Sequence, residues 1–476
     1  MAKKTVVANM FILGLSGIIA KTFDFSFRAY YSRMLGSEGM GLLSLGFSLH
    51  GVMLTFATAG LGVAVSKTTS EYMEIKNPAA VRGCMHLAVF GVVLLSLAVI
   101  SLTLVCSNYL ADTVLGDGRV SVSLCTLAPS VLFMGISYCI KGCFYAERRV
   151  IPPASSEILE QLVKFVSIRT LLKIFLPYGI EYGCAAVFAG ITIGEFSSCA
   201  YLVFFYLREE RRCFRLSRVF PEASVSRREL VCRLLGVSIP SMITSLCCSA
   251  LRTKEEVLIV SALKRGGMEH SDAVRSLGIL YGMAMPLLVL PLNLMGSVMS
   301  LLVPEISRAW VSGRQRLRRV TLKIYRFGIA SGCIVALVFI LFGDILSTIF
   351  YNTDEGAALV VRLAPLCPIM FIDSLSCSAL NGMGKQLRLL VFSIADFMLR
   401  FAVIYFAIPG GGISAFSIMI ALSNIFTCLL SFGSVAGIVF GKLNLSKRKL
   451  TKSKKYGILK NSIRVLSDGG DRSGRE

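Results

Sequence analysis

The chain of 476 residues is 55% hydrophobic and only 16% charged, with a mean hydropathy of +0.71, which excludes an ordinary water-soluble domain of this size. Its formal net charge of +22, from 50 Lys and Arg against 28 Asp and Glu, would suit a nucleic-acid partner, but the charge gathers in alternate connections between apolar runs and reads instead as membrane topology. No GxxxxGK[ST] or GxGxxG element occurs and His50, His86 and His270 lack metal-ligand spacing, so an ATPase, another enzyme, a cofactor and a metal site are all unexpected.

Twelve apolar runs can be marked off: 6–31, 40–64, 84–107, 120–140, 154–176, 184–207, 234–262, 276–303, 321–343, 357–380, 388–408 and 412–441. Each is long enough to cross a hydrocarbon core of ~30 Å. Backbone exposed to lipid must satisfy its own hydrogen bonds, so the runs predict an all-α polytopic bundle of about twelve membrane helices. Met1 to Ala20 starts like a signal peptide, but the run continues to Tyr31 without a small-residue cleavage site and predicts a retained helix.

The even-numbered connections are cationic: Lys67, Lys76 and Arg82; Lys141, Arg148 and Arg149; the stretch from Arg208 to Arg233; Arg308 to Arg319; Lys385 and Arg388. The odd ones are poor in Lys and Arg, as in Asp112, Asp117 and Arg119, or Asp344, Asp354 and Glu355; the seventh, with Lys264, Arg265 and Arg275, is the exception. The positive-inside rule then places both termini in the cytoplasm of a cell (plasma) membrane protein.

Run one carries Lys21, Asp24 and Arg28. At ~100° per residue, offsets of three and seven put them within roughly 60° of each other, on a stripe about 10 Å long. Such charges are costly against lipid and face a bundle interior or a wet cavity. A salt-bridge ladder that only locks packing is the plain reading; a cavity lining for an anionic guest is the one adopted, because the stripe sums to +1. The small-residue segments Gly36-Ser37-Glu38-Gly39-Met40-Gly41 and Gly60-Leu61-Gly62 suit tight turns or close helix approach.

Run five repeats the stripe spacing with Glu157, Glu160 and Lys164, after Pro152-Pro153, which fix helix entry without breaking its hydrogen-bond ladder. Run six offers Glu195 alone, as a proton carrier or as the partner of a neighbouring helix. Run seven holds Arg252, Lys254, Glu255 and Glu256; run eight holds Pro286 and Pro291 with Gly282 and Gly296, which are kink candidates, and Asn293 between them; run eleven holds Asp396 and Arg400. The fifteen cysteines lie mostly within the runs and read as buried thiols.

An offset of 236 residues brings the chain into register with itself. Leu127-Ala128-Pro129 falls on Leu363-Ala364-Pro365, Glu160 and Lys164-Phe165 on Asp396 and Arg400-Phe401, Gly46 on Gly282, Gly60 on Gly296, and Lys76-Asn77 on Ser312-Gly313. Six crossings return a chain to its starting side, so the repeat is parallel, with a substrate site between the halves. The domain expectation is a six-helix lobe at 1–207, a basic cytoplasmic linker at 208–233, a second lobe at 234–441 and a basic disordered cytoplasmic tail at 442–476.

Several stretches resemble a known family. Arg33-Met34-Leu35-Gly36-Ser37-Glu38-Gly39-Met40-Gly41 resembles the signature after the first helix of polysaccharide flippases of the stage V sporulation protein B type, in the multidrug/oligosaccharidyl-lipid/polysaccharide exporter (MOP) superfamily. Also similar are Ala59-Gly60-Leu61-Gly62 through Ser70-Glu71-Tyr72, Pro153-Ala154-Ser155-Ser156-Glu157 with Glu160-Gln161, and Val303-Pro304-Glu305-Ile306-Ser307. The resemblance implies a two-lobed, MATE-like transporter of twelve to fourteen helices that moves an undecaprenyl-diphosphate-linked saccharide, such as a peptidoglycan precursor, to the outer leaflet. Lys21 and Arg28 stand where the family's first helix carries its basic residues. Asp24, usually small or apolar in the family, is a departure, as is the absence of a thirteenth and fourteenth run.

The expectation is a flippase in which Lys21, Asp24, Arg28, Arg252 and Glu255 bind substrate, while Glu157, Glu160, Lys164, Glu195, Asp396 and Arg400 serve gating or coupling to an unnamed ion. Asp24 is expected to orient Lys21 and Arg28. The rivals are a MATE-type multidrug/cation antiporter, which wants an acidic or aromatic cavity, and a non-transporting scaffold for envelope assembly.

Overall fold

A computed structural model describes residues 2–74, 77–147, 149–217, 226–294, 306, 313–351, 356–383 and 385–440. The long apolar runs become helices joined by short breaks, and among the described residues there is no strand. The unit that carries the features below is Met1–Phe432.

Helix α1 (Ala2–Thr58) spans the first two runs and turns at Gly36, where φ is 67° and ψ −175°. Only glycine adopts that φ without a Cβ penalty, so the segment expected to turn does so at its first residue. Ala59 and Gly60, both at positive φ, separate α1 from α2 (Leu61–Glu74). Helix α3 (Pro78–Tyr109) starts with Asn77 accepting the Ala80 N–H at 3.0 Å and Pro78 in its first turn, the arrangement that satisfies orphan N–H groups. Phe90, Leu97, Leu102 and Val105 stand uncovered along it, Val105 at 85% exposure. A run of bare large apolar side chains is a surface that lipid covers.

The next pair, α4 (Ser121–Leu127) and α5 (Ser130–Ala146), bends by 43° at the intervening Ala128-Pro129. Then come α6 (Ile151–Phe175), with its two prolines in the first turn, and α7 (Ile180–Ser217). Gly190 and Gly194 bring α7 against the α6 backbone at Ile168 and Glu160, the small-residue packing that substitutes for a hydrophobic driving force in lipid. Helix α8 is Arg227–Arg265. Helix α9 (His270–Leu277) continues as a π-helical segment, Gly278–Ala284, and α-helix to 294. The later helices are α10 (Arg314–Tyr351), α11 (Ala357–Leu363), α12 (Cys367–Gly382), α13 (Gln386–Phe406) and α14 (Ile408–Phe440).

Among the described residues nine helices are long and apolar enough to cross a membrane, or ten with the bent α4/α5 pair. Helix α6 has the length of a span but carries Glu157, Glu160, Lys164, Arg169 and Lys173. One continuous core joins both sequence halves: Leu45, Leu49, Leu124 and Phe188 pack with Ile259, Val274, Leu277 and Met283.

Three expectations change. The break in run eight lies upstream of Pro286 and Pro291, in the π segment, where Gly278 and Gly282 admit Ser37 and Met40. Not all thiols are buried: Cys232, Cys247, Cys248 and Cys333 are exposed, and every described cysteine is free. Helices α7 and α8 run into the 208–233 stretch from both sides, ending at Ser217 and starting at Arg227. Lys76, Arg148, Gly296, residues 303–305 and 307, Arg308, Ser312, Asp354, Glu355 and the tail 442–476 lie outside the described residues.

Candidate functional site

The stripe on the first arm of α1 faces open space. Lys21, Asp24 and Arg28 all line a cavity of about 370 Å³, with Arg252 of α8 and Tyr281, Pro286 and Asn293 from α9 and its continuation. Lys21 and Asp24 also line a second cavity of about 330 Å³, whose other walls are α5, α6 and α7. The arm is therefore a partition. On one side three cations, Lys21, Arg28 and Arg252, meet the single carboxylate Asp24. On the other, Asp24, Glu157, Glu160 and Glu195 outnumber Lys21 and Lys141. The lining charges sum to positive in the first chamber and to negative in the second, which favours an anion in the first.

The π segment supplies the anchor for Arg28. A π turn breaks the regular i→i−4 ladder and frees carbonyls. Tyr281 O accepts Arg28 Nη1 at 3.3 Å, and Met283 O accepts the Tyr351 hydroxyl at 2.9 Å. Arg28 also lines a third cavity of about 280 Å³ with Ser48, Arg252 and Glu256. Arg252 is 72% exposed and lies 3.5 Å from Glu256, so its guanidinium has capacity left for a guest. Asp24 does not orient its neighbours as expected: among the described residues no ion pair joins it to Lys21 or Arg28. The i,i+3 and i,i+4 spacing places the three on one face, but each side chain reaches into the cavity instead of along the helix.

The other expected site residues, Glu157 apart, sort into two buried clusters. Lys164 holds Glu160 at 2.9 Å and Glu195 at 3.8 Å, which ties α6 to α7 behind the acidic chamber and gives Glu195 a partner. Lys141 pairs with Glu157 at 3.2 Å. Across the molecule Arg400 holds Asp396 and Glu255, each at 2.9 Å. Ser423 links to both Arg400 and Asp396, and the Tyr281 hydroxyl donates to Glu255 at 2.7 Å. Glu255 is thus locked behind the cationic chamber and does not line it with Arg252. The pairs Glu160/Lys164 and Asp396/Arg400, related by the 236-residue offset, each join a neighbouring helix through a third carboxylate.

Sequence reasoning missed a network at one end of the bundle. Arg119 bridges Glu38 at 2.6 Å and Asp117 at 2.8 Å, and His270 donates to Asp117 at 3.1 Å. Burial pushes the Asp117 carboxyl up, but hydrogen bonds from the Arg119 side chain and backbone and from His270 outweigh it and hold it below the usual carboxylate range. At the opposite end Arg233 of α8 meets Glu71 of α2 at 3.7 Å and Glu229 at 3.0 Å, with its guanidinium 5.4 Å from the Tyr72 ring. Glu229/Arg233 follows the i,i+4 helical spacing, but no spacing rule predicts Arg119–Glu38, His270–Asp117 or Arg233–Glu71, which join distant segments.

An all-helical, multi-pass bundle with a charged internal chamber defines a membrane transporter fold. The solved structures agree. A MOP superfamily transporter from Pyrococcus furiosus superposes with a TM-score of 0.65 at 13% identity, covering 92% of this chain and 96% of its own. An inward-facing multidrug resistance MATE family transporter gives 0.63 at 13% identity over 90% and 98%. The chain belongs to the polysaccharide biosynthesis protein family, whose sequence pattern it matches over residues 6–310. It is 26% identical to stage V sporulation protein B of Bacillus subtilis over 92% of this chain and 85% of that one. It is 22% identical to the lipid II flippase MurJ of the same organism over 80% and 73%.

Proposed function

We propose that this chain is a flippase that carries a lipid-linked saccharide of the undecaprenyl-diphosphate type to the outer leaflet by alternating access. The observation that carries the reading is the cationic chamber, where Lys21, Arg28 and Arg252 converge on a space suited to a diphosphate. The family and the relatives named above supply the lipid-linked saccharide. The bundle is read as twelve crossings in two lobes, 1–207 and 234–441, joined by the basic 208–233 stretch. Both termini and the tail 442–476 are cytoplasmic in a cell membrane, and the cargo serves spore cortex or envelope synthesis. The clusters at Lys164 and Arg400 hold the helices that rock, and an ion gradient or the membrane potential drives the cycle.

The test is leaflet accessibility of a lipid-linked peptidoglycan precursor in cells depleted of their own flippases. The intact chain restores outward exposure, and Lys21→Ala or Arg28→Ala lowers it about tenfold, the loss expected for one charge-assisted hydrogen bond. Restoration undiminished by either change reduces the stripe to packing. The acidic chamber favours one second reading, a cation antiporter. Extrusion of a cationic dye with no lipid transport would select it.

A further inference from the structure

A further cavity lies outside the charged chambers. It measures about 900 Å³ and sits between α2, α5 and the first half of α8, where it shares Tyr138, Lys141 and Glu157 with the acidic chamber. Its volume is at the upper end of the ~300–1,000 Å³ range that encloses drug-sized ligands. Its chemistry differs from that of the other chambers. The charged side chains of its lining balance in sum, Lys67 and Lys141 against Glu71 and Glu157, with Lys141 paired to Glu157. Among apolar walls such as Leu54 and Val63 it also presents hydroxyls and rings: Tyr138 and Tyr145 on α5, Ser66 on α2, Ser241 and Ser245 on α8.

Tyr138 is 44% and Tyr145 39% exposed, although both sit on the cavity wall. Among the described residues, the protein offers none of these five hydroxyls a hydrogen-bond partner. A hydrocarbon tail would leave those five groups unpaired, which is costly in a membrane interior. An anion would gain nothing from a balanced charge set. A polyhydroxylated ring satisfies the hydroxyls, and its C–H face carries the partial positive charge that the negative face of a tyrosine ring attracts. The backbone geometry keeps the ring exposed. Gly62 lies against the Tyr138 carbonyl and Gly142 against the Gly62 carbonyl, so α2 and α5 touch at backbone distance and leave Tyr138 and Tyr145 turned into the open space.

We infer that this cavity is a glycan subsite, which takes the uncharged sugar of the cargo. The inference rests on the flippase reading and adds the element that selects among headgroups. The three cavities are in series. The glycan chamber shares Tyr138, Lys141 and Glu157 with the acidic chamber, which shares Lys21 and Asp24 with the cationic one.

The experiment compares two probes in proteoliposomes of the full chain: undecaprenyl diphosphate bearing an N-acetylated disaccharide, and bare undecaprenyl diphosphate. Tyr145→Ala and Tyr138→Ala lower the ratio of glycosylated to bare lipid moved by about tenfold, the loss of one ring face and its hydroxyl. Tyr145→Phe lowers it less. Ser245→Leu, which fills the cavity from the opposite wall, lowers it also and guards against a folding effect in α5. A ratio unchanged in all four variants overturns the subsite and leaves the flippase reading standing. Saturation-transfer NMR with free diacetylchitobiose provides the independent readout. Transfer from the intact chain that disappears in the Tyr138→Ala/Tyr145→Ala double variant supports the subsite even where neither lipid is moved and the flippase reading fails. No transfer from the intact chain overturns it.

Discussion

Arg400 holds three groups at once: Glu255 from α8, Asp396 from its own helix and Ser423 from α14. With Glu255 at 9% and Asp396 at 13% side-chain exposure, removing the guanidinium strands two carboxylates in a medium that cannot hydrate them. Breaking a buried pair from one side costs about 3–5 kcal/mol. Arg400→Ala is expected to lower the melting temperature in detergent sharply, and Glu255→Gln in the same chain to recover part of the loss. An equal loss in the single and double variants would show that Arg400 acts by volume alone. Asp117 makes a different prediction, in pH. Its carboxyl is held below the usual range, so its contribution is full above the unfolded value of ~3.9 and is lost only as pH falls through the lower folded value. The stability difference between the intact chain and Asp117→Asn should shrink as pH falls below about 4. At this scale the sequence is half legible. An i,i+4 spacing exposes Glu160/Lys164 and Asp396/Arg400 because a helix makes such residues neighbours, and the 236-residue offset relates the two pairs. The third members, Glu195 and Glu255, come from other helices, and only packing brings them in.

The second arm of α1 and the π segment after α9 meet at a crossing built from glycines. A Cβ on Gly278 would strike the Ser37 carbonyl, one on Gly41 the Val274 carbonyl, and one on Gly282 the Met40 side chain. Two backbones in contact cannot yield to a methyl group as a flexible side chain can, and overpacking of this kind costs about 1–3 kcal/mol. Gly278→Ala is therefore expected to hold the two helices apart. A disulfide between Ser37→Cys and Leu277→Cys should form readily in the intact background and several-fold more slowly with Gly278→Ala, as followed by gel shift after mild oxidation. Equal rates would mean that the crossing opens and closes freely. The glycines of Gly36–Gly41 announced a turn or a close approach in the sequence, and both occur, the turn at Gly36 and the approach at Gly41. Of the π segment only Gly282 was legible, as a kink candidate beside prolines that drew attention downstream. What selects the π turn is the demand of Arg28 and Tyr351 for the carbonyls of Tyr281 and Met283, a demand made by residues far away in the chain.

Across the whole of the Met1–Phe432 unit, the two sequence halves are fastened at both ends of the bundle by unlike devices. At one end His270 of the second half meets Asp117 of the first at 3.1 Å, with Asp117 only 3% exposed and held in turn by Arg119 at 2.8 Å. At the other, Arg233 reaches Glu71 at 3.7 Å and Glu229 at 3.0 Å, every partner between 44% and 49% exposed. Exposed pairs contribute about 0–1 kcal/mol, whereas hydrogen bonds to a buried charge contribute about 1.5–3. The first fastening is the stronger, so a chain that rocks between two states should release the Arg233 end first. With Asn293→Cys as the reporter in a chain whose exposed Cys232, Cys247, Cys248 and Cys333 are replaced by serine, His270→Ala is expected to raise labelling by an impermeant maleimide about tenfold from the Asp117 side, and Arg233→Ala only about two- to threefold from the other. Labelling that rises from the same side in both variants would overturn the assignment of the two ends, and labelling that rises in neither would show that the glycine crossing alone keeps the chamber closed. The twelve apolar runs and the alternating charge made the membrane bundle readable from composition. The fastenings were not, because Asp117–His270 and Glu71–Arg233 join segments distant in the chain, whose relative placement no local pattern encodes.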